Sequence, residues 1–379
     1  MPQVSNAADG QQVDLLVDVI RCALAREAHA LGLEVDDHPL RLSQLDASAF
    51  AHAVRLHRVS HLIAQYGDDL GLPAQVLDLV QETATNEALA AMTLAMETPR
   101  FLELLASGGV PALAFKGVAL SMLTTGTVTE RGNGDVDVLV HKRNVPRAVG
   151  LLLGDGCEID VFSSEQVTNW WPWIRWSTRE LLFLCSPAQV DLHWQIAKEN
   201  DLLPPTEQLL ARSQSVEILG APIATLGNDD TLLASCYHLH HDAYRSLRHS
   251  VDLVRLLRMR QVPIEWTGRS RTMAAESAHF AIGLLGGLPA GHLEALGLEA
   301  VPVKPAFEQW QAHRCDPLAQ NRAPGLLGTF SETRANYRHS QFMRELPRMV
   351  GIYSLIRLAP RVEGPLTAPN VVRALIKRS

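Results

Sequence analysis

Near residue 110 the apolar spacing of the chain changes from helical to alternating, and beyond residue 230 it changes back. A chain with this pattern has room for a sheet only in its middle third, between two helical regions. In the first part, DLLVDVIRCALAREAHAL and AFAHAVRLHRVSHLIAQY repeat apolar residues at i, i+3 and i+4, which predicts two amphipathic helices. PAQVLDLVQETATNEALAAMTLAMETPRFLELLASGG predicts a third, opened by a proline, closed by a glycine pair, and kinked or divided at Pro99. VPALAF (110–115) then reads as a short strand, followed by Lys116-Gly117 and the helix-like VALSML. After the polar loop TTGTVTERGNG comes the alternating strand DVDVLV, which starts at Asp135. NVPRAVGLLLGDG reads as a capped helix, and CEIDVF, ELLFLCS and AQVDLHW as strands. The last two form a hairpin about Ser186-Pro187, in a small and mostly antiparallel sheet.

From Asp230 onward, TLLASCYHLHHDAYRSLRHSVDLVRLLRMR carries a long apolar stripe and a face rich in histidine and arginine. Further helices are expected over 271–286 and 331–358, with ALIKRS as a frayed tail. The expected division is a helical region over 1–107, a catalytic core over 108–228 and a second helical region over 229–379.

Composition narrows the function classes. Hydrophobic residues make up 47% and charged residues 20% of the 379, which excludes a disordered chain. With 34 Lys+Arg against 41 Asp+Glu, the net charge of −7 excludes a general polyanion-binding surface but leaves room for a local basic groove. Only 5 of the cationic residues are lysines, so the position of each one matters. Cys22, Cys157, Cys185, Cys236 and Cys315 contain no CxxC pair and are expected to be reduced, buried thiols. The polar start MPQVSNAADGQQVD lacks the apolar run of a signal peptide, and no stretch reaches the ~18 apolar residues of a membrane span. The expectation is a soluble, cytoplasmic protein.

The chemistry-bearing feature is Asp135-Val136-Asp137. On a strand, residues i and i+2 share a face. Two adjacent carboxylates repel unless they are solvated or bridged by a cation. With Val136, Val138 and Val140 on the core side, the pair suits a hard divalent cation, or alternatively a solvated edge strand. Asp191, in AQVDLHW, supplies a third carboxylate on a candidate neighbouring strand. Three such groups can hold two metal ions ~3.5–4 Å apart. His193 shares the face of Asp191, where it either contacts substrate or satisfies a backbone carbonyl. Lys116-Gly117 stands where a strand turns into a helix, a place suited to phosphate. Arg131 offers a planar fork for a triphosphate, or is an ordinary loop arginine.

The ordered set strand–Lys116-Gly117–helix, Arg131, Asp135-x-Asp137 and Asp191 in VDLHW resembles the DNA polymerase β-type nucleotidyltransferase superfamily. More narrowly, FKGVALSML…ERGNGDVDVLV…VDLHW resembles its uncharacterised bacterial branch, related to abortive-infection toxin nucleotidyltransferases, over roughly residues 100–260. Where the superfamily mostly carries Gly-Ser, this chain has Lys116-Gly117-Val118, leaving Ser121, Thr124 or Thr125 to replace the serine. The resemblance implies an α+β fold, with a polymerase β-like core wrapped by N- and C-terminal helices. It implies transfer of a nucleoside monophosphate, expected to be AMP, from an NTP, expected to be ATP, with release of pyrophosphate. Asp135, Asp137 and Asp191 are then the catalytic residues and ligands of two Mg²⁺ ions, and Lys116, Gly117 and Arg131 bind the nucleotide. The acceptor implied is a small molecule, a peptide or a protein. A toxin-like transfer to tRNA and a non-catalytic NTP-binding scaffold are the alternatives.

Three further features stay open between a function and a packing role. His238, His241 or Asp242, Arg245, His249 and Asp252 are spaced to share one helix face, from which His238 and Arg245 could reach substrate. Trp170, Trp171, Trp173 and Trp176 suggest either an acceptor-stacking platform or a loop packed on the core. QFMRELPRMVGIYSLIRLAPR is an amphipathic basic helix, suited to a membrane surface or to packing on the N-terminal helices.

Overall fold

The alternating middle of the chain forms a sheet, and helices from both ends close over one of its faces. The computed structural model describes residues 8–197 and 201–317, with Pro347, Val350 and Gly351. The chain runs through α1 (Gly10–Ala30), α2 (Ala47–His57), α3 (Ser60–Tyr66) and α4 (Ala74–Ser107) into β1 (Ala112–Ala114), α5 (Gly117–Thr125) and β2 (Val136–Val140). There follow α6 (Val145–Gly154), β3 (Glu158–Ile159), α7 (Ser164–Ser177), β4 (Glu180–Leu184) and β5 (Gln189–His193). Then come α8 (Thr206–Ala211), β6 (Gln214–Ile218) and β7 (Ala221–Thr225). The helices α9 (Asn228–His241), α10 (Leu247–Met259), α11 (Gly268–Leu285), α12 (His292–Ala295) and α13 (Lys304–His313) complete the described elements.

The sheet is mixed, in the order β3-β4-β5-β2-β1-β7-β6. Four of its pairings are antiparallel, and β2–β5 and β1–β7 are parallel. Strand alternation sorts its two faces. Val136, Val138, Val140, Val190 and Leu192 pack on one side with residues of α4, α6 and α7. Leu113, Phe115 and Leu139 join a second core with Leu16, Ile20 and Phe50 from the first helices and Leu253, Phe280 and Trp310 from the last. Each such side chain contributes about 1.5–3 kcal/mol on burial. The helices before and after the sheet thus share one core.

Several expectations change. AFAHAVRLHRVSHLIAQY is not one helix: it breaks at Arg58, whose φ of 53° closes α2. The helix expected over 231–260 likewise breaks at Ala243 and Tyr244, with φ of 53° and 58°. The buried Tyr244 ring, 4.6 Å from Phe280, and its hydroxyl, 2.9 Å from His240 Nδ1, hold that turn. Pro99 does not divide α4, which runs through it for 34 residues. The proline removes one N–H, while the burial of Phe101 and Leu105 beyond it holds the helix together. CEIDVF yields only the two-residue β3, and the tryptophan-rich segment is the helix α7.

The thiol expectation fails at Cys157 and Cys185, which form a disulfide. The pairing of Glu158 with Leu184 sets the two cysteines opposite each other, 4.3 Å apart at Cα. Cys22, Cys236 and Cys315 are free. Among the described residues, no helix is long and apolar enough to cross a membrane. RAPGLLG, the ALIKRS tail and the helix expected over 331–358 lie outside the described residues, apart from helical positions Pro347, Val350 and Gly351.

Candidate active site

Parallel pairing of β2 with β5 aligns Asp137 with Asp191 and Leu139 with His193. The two carboxylates and the imidazole therefore project from the same face, and Asp135 enters just before β2. Ligand atoms of Asp137, Asp191 and His193 all lie within 4.8 Å of one another. Asp137 is buried and accepts from Lys116 Nζ at 3.2 Å and from His193 Nε2 at 3.0 Å. His193 Nδ1 lies 3.0 Å from a carboxylate oxygen of Glu180 on β4. The histidine thus bridges two acids, where a backbone carbonyl was one expectation.

Charge explains the titration of these groups. Burial disfavours the His193 imidazolium, but Glu180 and Asp137 outweigh it and raise the pKa to about 9. Burial lifts the Asp137 carboxyl, but Lys116 and His193 outweigh that and hold it below the usual range. Burial, with Asp135 and Asp137 nearby, pushes Asp191 up to about 7 despite His193. Asp135 is raised by burial and by Asp137. Lys116 is pulled down by burial, but Asp137, Glu180 and Asp135 raise it overall. Two positive groups bind Asp137 directly, while burial and mutual repulsion raise Asp135 and Asp191. Oxygen donors that repel in this way fit a hard divalent cation. His193 is engaged by two carboxylates, Asp137 and Glu180.

Lys116 stands at the strand-to-helix turn with φ of 57° and ψ of −151°, a region suited to glycine, and Gly117 follows with φ of 43°. A Cβ on Gly117 would lie 3.5 Å from the Asp135 carbonyl oxygen, so the turn packs closely on the acidic strand. None of the three candidate hydroxyls takes the place of the expected serine. Thr124 and Thr125 donate to their own helix at Leu120 and Ser121, and Ser121 is buried away from the cleft.

The carboxylates form one wall of a cleft of about 740 Å³. The same cleft is lined by Arg58, Arg245 and Arg248. Arg131 reaches the cleft too, but its Nε donates to Asp252 at 2.9 Å and its guanidinium also binds Asn133. The sequence separated these residues; the fold gathers them. His238 lies at the cleft edge, stacked on Phe115 at 6.4 Å, and burial together with Lys116 drives its pKa well below the usual value. It is a neutral contact there. Arg245 is buried at the turn after α9 and lines the cleft. Sequence reasoning missed Glu180, Arg58 and Arg248. Glu180 opens a strand that was recognised, but the two arginines sit in or beside helix breaks that the apolar stripes conceal. Burial, with Arg131 and Arg58 nearby, pushes Arg248 down to about 9.

Acidic groups for a hard cation beside arginines for phosphate in one cleft are the arrangement of an enzyme that handles phosphoryl groups. The chain belongs to the family described as "Uncharacterised nucleotidyltransferase", which it matches over residues 43–280. It is therefore a nucleotidyltransferase, an enzyme of nucleoside monophosphate transfer. Among solved structures, the antibiotic-resistance factor ANT(2'')-Ia, studied in solution, resembles 58% of this chain and 94% of its own, at 14% identity and a TM-score of 0.30. Likeness at that level carries no further argument. No curated protein matches the chain.

Proposed function

We propose that this enzyme is a Mg²⁺-dependent nucleotidyltransferase with a polymerase β-like core, which moves AMP from ATP to an acceptor hydroxyl and releases pyrophosphate. The observation that carries the reading is the register of Asp137 with Asp191, beside Asp135, which gathers more negative charge than Lys116 and His193 offset. Asp135 and Asp137 would hold two Mg²⁺ ions, and Asp191 would complete the set on the acceptor side. Bound there, the ions supply Lewis acidity at phosphoryl and acceptor oxygens.

The remaining work falls to the chain. Lys116 and the amides at the start of α5 hold phosphate oxygens, with Arg131 anchored by Asp252 behind them. The acceptor oxygen bonds to the α-phosphorus as the bond to the β-bridging oxygen breaks, and that electron pair leaves with pyrophosphate. Asp191, on the acceptor side, would receive the hydroxyl proton. His193 keeps Asp137 oriented. The segments 1–107, 108–228 and 229–379 act together, since residues of each reach the cleft. Dependence on NTP favours a cytoplasmic location, and the acceptor is a small molecule, a peptide or a protein.

One observation favours a second reading, transfer to a tRNA end. A groove of about 920 Å³ carries Trp173, Trp176, Lys142 and Arg175, and it meets the acidic cleft at Ile196. Exposed aromatic faces beside cations suit stacked bases and phosphates.

Pyrophosphate release from each NTP with Mg²⁺, with and without cell extract, tests both readings. Release that needs extract and vanishes in Asp135→Ala/Asp137→Ala supports transfer. Its loss on ribonuclease treatment of the extract selects the tRNA reading. Silence with all four NTPs, despite Mg²⁺-NTP binding, overturns both.

A further inference from the structure

We infer that Arg58 and Arg248 form the seat of the NTP's β- and γ-phosphates, so that the first helices complete the nucleotide site. The inference rests on the nucleotidyltransferase reading above. It starts from a backbone conformation. Arg58 ends α2 in the left-handed region, a position usually held by glycine, which adopts it without steric cost. An arginine is strained there, and strain of this kind gathers where a side chain has work to do. Its side chain enters the acidic cleft.

The loop 131–135 fixes where that side chain sits. A Cβ built on Gly134 would lie 3.6 Å from Arg58 Nη1, so the guanidinium stands beside the residue preceding Asp135. Arg248, in the first turn of α10, donates to the Gly132 carbonyl of the same loop. The Arg248 Nε is buried without a hydrogen-bond partner. Its charge is also felt at Asp135, which ties it to the metal-binding edge of the cleft.

Arg131 has its own acid, Asp252. Glu87 feels both Arg58 and Arg248, but it is half-buried, accepts the Ser60 hydroxyl and is raised rather than lowered in pKa by burial. Among the described residues, neither guanidinium makes a direct ion pair with a carboxylate: Arg248 feels Asp252 and Asp135 only at a distance, and Asp252 is bonded to Arg131. Planar forks of this kind match phosphate oxygens in pairs. Ions at the three carboxylates would flank the α-phosphorus, so guanidiniums set further along the loop, at Gly134 and Gly132, meet the β and γ groups beyond it. The family match, beginning at residue 43, includes the segment that carries Arg58.

The test is calorimetric titration of the full chain with inorganic pyrophosphate, Mg²⁺-ATP and AMP, beside thermal melting. Wild type, Arg58→Gly, Arg58→Lys and Arg248→Gln are compared. Arg58→Gly relieves the backbone, so its melting temperature should hold or rise while pyrophosphate and ATP bind about tenfold or more weakly. AMP affinity should stay within about twofold, and Arg58→Lys should recover part of the loss. Arg248→Gln should behave like Arg58→Gly toward the three ligands. Wild-type pyrophosphate affinity in Arg58→Gly overturns the inference, as does an equal loss of ATP and AMP. A fall in melting temperature that accounts for the weaker binding assigns Arg58 a structural role and overturns it too. Absence of pyrophosphate and ATP binding in wild type is a separate result: it overturns the nucleotide site itself, and this inference with it.

Discussion

The acidic wall of the cleft stands on β2, β4 and β5, whereas the basic wall hangs from the turn between α2 and α3 and the start of α10. Strand pairing sets Asp137 against Asp191 to within the tolerance of a hydrogen-bond ladder, which ion binding demands. Phosphates are larger and can be met from several directions, so guanidiniums on turns suffice. The price is backbone strain at Arg58, and at Lys116 between the walls, of about 1–3 kcal/mol each. Precision comes from regular structure and reach comes from irregular structure.

Damage to the acidic wall should cost the most. Asp137→Asn keeps the shape but strips the charge that Lys116 and His193 share, and kcat should fall about 1,000-fold or more. Steady-state pyrophosphate release measures this, and a loss below tenfold would place the reacting centre elsewhere. On the basic wall, Arg248→Gln should act on affinity, raising KM for ATP about 10–100-fold with a smaller change in kcat. Were the two variants to share one kinetic signature, the division of labour between the walls would collapse.

His193 joins the acidic wall to Glu180, and His193→Gln should lower kcat about tenfold while moving the acidic limb of the rate profile. A changed rate at every pH with an unmoved profile would leave His193 a packing role only.

The smallest effect is on stability. Asp191 has a folded pKa of about 7, above the usual carboxylate value, so its contribution is full below pH 4 and is lost as pH rises through 7. His193, raised to about 9, contributes fully below pH 6.5 and loses that as pH rises through 9. Without Mg²⁺, the melting temperature should therefore decline between pH 6 and pH 9. Asp191→Asn should melt a few degrees above wild type at pH 8, for about 1 kcal/mol, with the gap narrowing toward pH 4. Mg²⁺ should close the gap by stabilising wild type alone. Differential scanning fluorimetry across pH reads all three effects.

The same contrast decides what could be read from the sequence. Period-2 alternation identified β2; ELLFLCS and AQVDLHW read as strands after it, and the i, i+2 rule put Asp135 with Asp137 and Asp191 with His193 before any register was known. The apolar stripe, by contrast, runs straight through Arg58 and through Ala243–Tyr244. A left-handed residue that is not glycine leaves no mark in hydrophobic spacing, so the helix breaks and the arginines they aim stayed hidden. The Cys157–Cys185 pair was hidden for another reason: it depends on the pairing of β3 with β4, and no motif announces it. Arg131 was found, but its pairing with Asp252, 121 residues later, belongs to the packing of α10 on the loop.

The most direct test of the two-walled cleft is a crystal structure with Mn²⁺ and a non-hydrolysable ATP analogue, read by anomalous scattering. The account expects manganese peaks between Asp135, Asp137 and Asp191, with the β- and γ-phosphates against Arg58 and Arg248. Nucleotide bound in the tryptophan-lined groove, with no manganese at the three carboxylates, would contradict it.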